Sequence, residues 1–485
     1  MSLRGSETTE AISQRSENKE IAALPPVARN DKPRIMTQSL KGRVREGMGG
    51  EGRYPLKIDR LLKEIKKEEL IQLTRELIRI PSVRHHETGG NEKAVALFLA
   101  HLIEEMGLDV IVEEVEPNSP NVIGVLHGQS EGPCLMFECH TDVVTEGDIS
   151  EWKYGPFEGR LVGERIYGRG ACDTKGNLAA AVKAIQAISQ SGIPFKGKIL
   201  LGILVDEEGM MNGVKHFIRQ GWAKGIHAAI ICEPVENHLC ITQKGALRVE
   251  VVTTGKMSHG AMPLTGLNPI PPMVSILDRI RRLEEEEIEA HGKDPYLGFP
   301  SITPTVLQAP VKGEPQLNVV PYQCRALVDI RTIPGQSHDI LKSQLEYIVQ
   351  EEERAVSASL QLGSLKEIRE NLEKGLSKGM SFQAKLNVFE DRPWTKTSKE
   401  EPIVQAVAKA IQTVTGREPV YDGVPGATDG TFLTAWANIP IVTFGAGKWT
   451  VPHQKDEWVS VDDLYLTAKI YALSALEYLK ITNPK

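Results

Sequence analysis

Apolar residues recur every three or four positions over Leu61, Leu62, Ile65, Leu70, Leu73, Leu77 and Ile80, which predicts one helix over Ile58 to Ile80, stopped by Pro81. A second helix is expected over Glu92 to Met106. The pattern then changes to short apolar runs at Val122 to Leu126, Leu135 to Phe137, Ile199 to Val205, Ala228 to Ile231 and, far downstream, Ile439 to Phe444. Each is the length of one strand. Helical patterns such as Leu178 to Ile188 and Val214 to Ile218 fall between them, so the expectation is an α/β fold whose sheet carries helices on its faces.

Between 247 and 390 the texture differs. Strand-like Arg248 to Thr254 leads to a helix from Pro272 to about Ala290, then to strand-like Thr303 to Leu307 and Arg325 to Ile330, then to charged helices over Leu341 to Met380. That order suits a smaller α+β unit inserted into a larger domain, which would comprise 54–246 and 391–485 and resume with a helix over Ile403 to Val414. Residues 1–53 are rich in Ser, Glu, Arg and Gly, contain the Pro25-Pro26 break and lack an apolar period; they read as a disordered leader.

At 485 residues the chain exceeds one ordinary core, which agrees with two domains. The formal charge of −7, without a long Lys/Arg stripe, gives no reason to expect nucleic acid as a partner. No apolar run is long enough to cross a bilayer or to act as a secretory signal, so a cytoplasmic location with no membrane partner is expected. The six cysteines form no C-x-x-C pair and read as free thiols. Cys139, Cys172 and Cys232 each precede an ionisable residue, but neighbours along an extended chain face opposite ways, which makes them core fillers and not ligands.

The chemistry lies in where acids and imidazoles fall. His140 and Asp142 stand two apart at the end of one apolar run, Asp173 sits in a Gly-rich loop before a helix, Asp206-Glu207-Glu208 ends another run, Glu233 ends a fourth, and His453 lies far downstream. Ligands of open α/β sheets bind beyond the carboxyl ends of the strands, where these groups cluster. So many carboxylates together repel one another unless cations share them. Carboxylate oxygen with imidazole nitrogen suits two divalent ions, zinc first and cobalt or manganese as alternatives, with Asp173 the best bridge. Two close ions lower the pKa of a shared water and polarise a carbonyl.

The ordered segments C-H-T-D (139–142), G-R-G-A-C-D-T-K-G (168–176), D-E-E-G (206–209), C-E-P (232–234), S-H-G (258–260) and H-Q-K-D-E (453–457) resemble the peptidase M20 family of co-catalytic metallohydrolases from about Leu56 to the C-terminus. The resemblance implies a mixed-sheet metallohydrolase domain with an inserted lid and dimerisation domain, acting as a homodimer. It implies that His140 and Glu233 hold one ion, Glu208 and His453 the other, and Asp173 both. Glu207 would be the general base, Asp142 would orient His140, and His259 would stabilise the oxyanion, often across the subunit interface. Arg331 and Asn318 would grip the substrate carboxylate and backbone, the Gly426 to Gly430 turn with Thr428 would contact substrate, and the Asp173-Thr174 peptide would be cis. The substrate would be an N-acyl amino acid, in the style of the acetylornithine deacetylase and desuccinylase branch. A dipeptidase or carboxypeptidase with the same site is the alternative. A non-catalytic binding protein of this fold would have lost a ligand or the base, and all are present here.

Overall fold

The computed structural model describes residues 53–84, 91–360 and 381–480. Most of the expected leader and the charged stretch 361–380 lie outside the described residues. Nine strands form the large sheet, in the order Asp109–Glu116, Ser119–His127, Lys196–Leu204, Ser130–His140, Ala228–Ile231, Ile441–Thr443, Leu239–Gln243 and Thr395–Lys396, with Tyr421–Val424 also pairing Leu239–Gln243. The sheet is mixed: Ser130–His140 runs parallel to both Lys196–Leu204 and Ala228–Ile231, while Ser119–His127 is antiparallel to its neighbours.

The apolar runs are continuous because both faces of this sheet are buried. Leu135, Phe137 and Cys139 point into one core with Ile199, Leu201 and Ile203, under the helices Lys67–Arg79, Lys175–Ser191, Pro402–Thr415 and Val461–Leu479. The alternate residues Cys134, Met136, Leu200 and Leu204 point into a second core with Phe217 of Asn212–Arg219 and Phe432 of Gly430–Ala437. All six cysteines are free and buried.

A separate four-stranded antiparallel sheet, ordered Ser301–Gln308, Gln323–Thr332, Gly245–Thr254 and Gln383–Arg392, is built from the inserted region. Its two central strands alternate over most of their length. Leu247, Val249, Val251, Val328 and Ile330 face a core shared with Ile276 and Ile280 of Ile270–His291 and Leu341 and Leu345 of His338–Ser359. Arg248, Glu250, Asp329 and Arg331 therefore stand on the opposite, polar face.

Two expectations differ from what is observed. The single helix over Ile58 to Ile80 is two, Arg53–Glu64 and Lys67–Arg79, because Lys66 is extended (φ −96°, ψ 123°) and its carbonyl starts the second helix by accepting from Leu70 N at 3.1 Å. The apolar period continues across the break because Leu61, Ile65, Leu70, Leu73 and Leu77 all enter the same core. Strands Asp109–Glu116 and Gln383–Arg392 were not anticipated: each lies at a sheet edge, the first largely exposed and the second turning only Ala384, Leu386 and Val388 to the core.

Candidate metal centre

Three parallel strands deliver the acidic groups to one end of the sheet. His140 is the last residue of Ser130–His140, Glu207 and Glu208 follow Lys196–Leu204, and Glu233 follows Ala228–Ile231. Asp173 precedes the helix Lys175–Ser191, and the Asp173-Thr174 peptide is cis. His453 arrives from the loop before Trp458–Ser460, a strand that pairs with Arg165–Tyr167 and so ties the His453 loop to the Asp173 loop. The Glu207-Glu208 turn begins at Asp206, whose backbone is left-handed (φ 65°). Its carboxylate accepts from Met210 N and Asn212 N, both at 3.1 Å, and pairs with Arg84 Nε at 2.6 Å.

The five groups form two sets that share Asp173. His140 Nε2 lies 3.1 Å from Asp173 Oδ1 and 3.5 Å from Glu233 Oε1. His453 Nε2 lies 3.4 Å from Asp173 Oδ2 and 2.9 Å from Glu208 Oε1. Within each set the donor atoms lie within 4.8 Å of one another, and each oxygen of Asp173 faces a different imidazole. Asp142 backs the arrangement. Its carbonyl lies 3.0 Å from His140 Nδ1, nearer than its carboxylate at 3.5 Å, and the carboxylate accepts from Glu207 N at 3.1 Å and Glu208 N at 3.0 Å. Asp142 is thus as much a clamp on the acidic turn as a partner of the imidazole.

The electrostatics fit a pair of divalent cations. Burial pushes Glu233 well above the usual carboxylate range, and the adjacent Asp173 pushes it further. Burial also raises Glu207, with Glu208 adding to it against the pull of His140. Burial pulls His140 down, but Glu233, Asp142 and Asp173 outweigh it and hold the ring well above its ordinary value. His453 is pushed up to about 10 by its hydrogen bonds to Asp173 and Glu208. A field negative enough to hold protons on buried acids and on imidazoles is one that two cations would neutralise, and the oxygen and nitrogen donors are those such ions take.

Asp173, Glu207, Glu208, Glu233 and His453 line one cavity of about 470 Å³. Arg331, Gly426 and Thr428 line it too, although the Thr428 hydroxyl already donates to Gln243 Oε1 at 2.9 Å. His259 and Asn318 do not line it. They stand exposed, side by side, where Ser258–His259 pairs with Val319–Val320 and Gly260 N donates to Asn318 O at 2.6 Å. Sequence reasoning missed Arg248, Arg392 and Trp449, which also line it. For Arg248 a signal existed: it alternates with Leu247 and Val249 on a half-buried strand, so it had to face away from the core. It also missed Arg169 and its partner role for Glu457. Glu457 Oε1 accepts from Cys172 N at 2.9 Å and Asp173 N at 3.1 Å, while its Oε2 lies 2.6 Å from Arg169 Nη1.

A mixed α/β sheet with a paired carboxylate and imidazole cluster beyond its parallel strand ends defines a metal-dependent hydrolase of amides or peptides. The chain belongs to Peptidase family M20/M25/M40, whose profile matches residues 136–477. It is 29 % identical over 426 residues to a succinyl-diaminopimelate desuccinylase of a Methylobacterium species, covering 85 % of this chain and 97 % of that one. It is also 29 % identical over 422 residues to the protein of that name from Methylocella silvestris, covering 84 % and 98 %. Among solved structures the fold resembles an M20 family metallo-carboxypeptidase from Sulfolobus solfataricus, with a TM-score of 0.65, 20 % identity, and coverage of 85 % of this chain and 99 % of that one. It also resembles a di-peptidase from Saccharomyces cerevisiae, with a TM-score of 0.66, 15 % identity, and coverage of 88 % and 99 %. A dinuclear metal binding peptidase from Bacillus subtilis matches with a TM-score of 0.60, 16 % identity, and coverage of 86 % and 99 %. No helix among the described residues is long and apolar enough to cross a membrane.

Proposed function

We propose that the chain removes the acyl group from an N-acyl amino acid. The observation that carries this reading is one cavity that joins a two-ion donor cluster to the guanidinium of Arg331, so that an amide and a neighbouring carboxylate can be held together. Its desuccinylase relatives, alike over most of both chains, support it.

His140 and Glu233 would hold one ion, Glu208 and His453 the other, with Asp173 shared between them. Zinc suits this donor set best, with cobalt and manganese as substitutes. Such ions lower the pKa of an attacking water and polarise the scissile carbonyl. Glu207, lining the same cavity with its proton affinity raised by burial, takes the proton from that water on a carboxylate oxygen and passes it to the leaving amine. Asp142 holds the Glu207-Glu208 turn through two backbone N–H groups. Arg331 anchors the substrate carboxylate, and the turn carrying Gly426 and Thr428, which lines the same cavity, contacts the substrate.

The region 247–390 acts in this reading as lid and dimerisation domain of a cytoplasmic homodimer. The exposed position of His259 and Asn318, away from their own chain's cavity, is what a pair of residues offered to a partner's cavity needs. The metallo-carboxypeptidase and the di-peptidase of similar fold favour a second reading, cleavage of a dipeptide or of a C-terminal residue by the same groups.

Hydrolysis of a panel of N-acetyl, N-succinyl and N-formyl amino acids and dipeptides, by metal-reconstituted protein with a chelated control, tests both. Metal-dependent release of amino acid from the acylated members supports the deacylase. Cleavage confined to dipeptides replaces it with the peptidase, and silence with two ions bound overturns both.

A further inference from the structure

The cavity wall contributed by the inserted sheet is a continuous chain of alternating charges. Arg331 Nε lies 2.8 Å from Asp329 Oδ2, and Asp329 Oδ1 lies 3.0 Å from Arg248 Nε. Arg248 Nη1 contacts Glu390 Oε2, and Glu390 Oε1 contacts Arg392 Nη2. That same Nη2 donates to the Gly209 carbonyl at 2.6 Å. Gly209 directly follows Glu208, so the chain runs from the guanidinium proposed to bind the substrate carboxylate to the backbone of the acidic turn.

Strand register produces this contact. Arg248 stands opposite Asp329 on one neighbouring strand and opposite Glu390 on the other. All three belong to the polar face of the sheet, and cross-strand partners on one face are nearest neighbours. Arg331 and Arg392 follow Asp329 and Glu390 by two residues and so return to the same face. Arg248 is the only member that touches both carboxylates, using the Nε edge of its fork for one and Nη1 for the other. A lysine ammonium, a point charge on a flexible stem, cannot hold that geometry.

The charges do not cancel. Three guanidiniums face two carboxylates, which leaves one positive charge, and Arg248, Arg331 and Arg392 all line the cavity. Burial pushes Asp329 up, but Arg331 and Arg248 outweigh it and hold the carboxyl below its ordinary range, so it stays ionised. Arg392 is only 8 % exposed and its Nε is buried without a protein partner. Three guanidiniums lining one cavity with one positive charge in excess of their paired carboxylates favour binding of one anion.

We infer that these five side chains act as one carboxylate receptor and that Arg248 is its positioning residue. It spaces Arg331 and Arg392 against each other and, through Arg392, against the Glu207-Glu208 turn. The receptor selects substrates with one free carboxylate beside the scissile amide and rejects the same molecules as primary amides. This rests on the deacylase reading for the position of the amide, though not for anion selectivity itself.

The test uses the full metal-loaded chain and its Arg248→Gln and Arg248→Lys variants, with N-acetyl-L-leucine and N-acetyl-L-leucinamide as matched probes titrated by calorimetry. The wild-type chain should bind the acid at least about tenfold more tightly than the amide, the size of a charge-assisted hydrogen bond. Both variants should bring the two affinities within about threefold by weakening the acid far more than the amide, whereas general structural damage would weaken both probes alike. The lysine variant keeps the charge, so it separates position from charge if the glutamine variant folds poorly. Acid preference retained in the lysine variant overturns the positioning role. Equal binding of the two probes, or no binding of the acid, by wild type overturns the receptor. Hydrolysis of the acid is scored separately: binding preference without cleavage leaves the receptor standing and counts against the deacylase, and cleavage without preference does the reverse.

Discussion

Replacing Arg169 by methionine should destabilise the chain through the charge it leaves behind. Arg169 is 2 % exposed and donates to Gln454 O at 3.2 Å and Thr145 O at 3.1 Å as well as pairing with Glu457, itself 1 % exposed. Burial pushes the Glu457 carboxyl up to about 7 even with Arg169 pulling it down. Breaking a buried pair by removing one partner costs about 3–5 kcal/mol, which is about two to four powers of ten in the unfolding equilibrium. Arg169→Met should show that loss in urea unfolding of the metal-free chain followed by tryptophan fluorescence. Arg169→Met with Glu457→Gln should recover at least about 2 kcal/mol, because the amide keeps an acceptor for Cys172 N and Asp173 N without a charge.

The pH dependence has a definite sign. The folded value for Glu457 lies above its ordinary 4.5, so between those values the folded chain holds a proton that the unfolded chain has released. Stability from the neutral carboxyl is complete below about 4.5 and is lost as pH rises through about 7. Without Arg169 the folded value climbs further, so the variant's deficit should be largest above pH 7 and shrink towards pH 5. A deficit under about 1 kcal/mol, or a double variant no more stable than the single one, would refute the idea that the stranded carboxylate carries the cost.

Three further outcomes are expected. Glu207→Gln should keep two ions by metal analysis while kcat falls by about 10² to 10⁴, and near-normal turnover would remove Glu207 as the base. Asp142→Asn weakens the clamp on the Glu207-Glu208 turn, so ion affinity measured by chelator competition should drop about 10- to 100-fold; unchanged affinity would mean the turn holds itself. Chelation should lower the melting temperature and zinc should restore it, since saturation at 1,000 times Kd contributes about 4 kcal/mol; identical melts would show that the cluster folds without using ions.

Much of the architecture could be read locally. Strand runs such as Ala228–Ile231 are apolar at every position because both sides of the strand are covered, and that demand appears in the residues themselves. The places where such runs stop are equally visible, so His140, Glu207, Glu208 and Glu233 could be named as a group from strand ends alone. The edge strand Asp109–Glu116 and the break at Lys66 were not legible, because an exposed edge needs little apolar pattern and a shared core lets the period run through a kink.

By itself the sequence determined the α/β class, the order of most elements and the residue types beyond each strand, all consequences of backbone periodicity over a few neighbouring positions. Only the tertiary structure decided which charges meet. Arg248 finds Asp329 81 positions away and Glu390 142 away, and Arg169 finds Glu457 288 away. These pairings depend on register between strands and on loop closure, where a shift of one residue turns a side chain to the opposite face. The tertiary structure likewise decides that His259 and Asn318 meet at the exposed ladder of Ser258–His259 with Val319–Val320, outside the lining of their own chain's cavity.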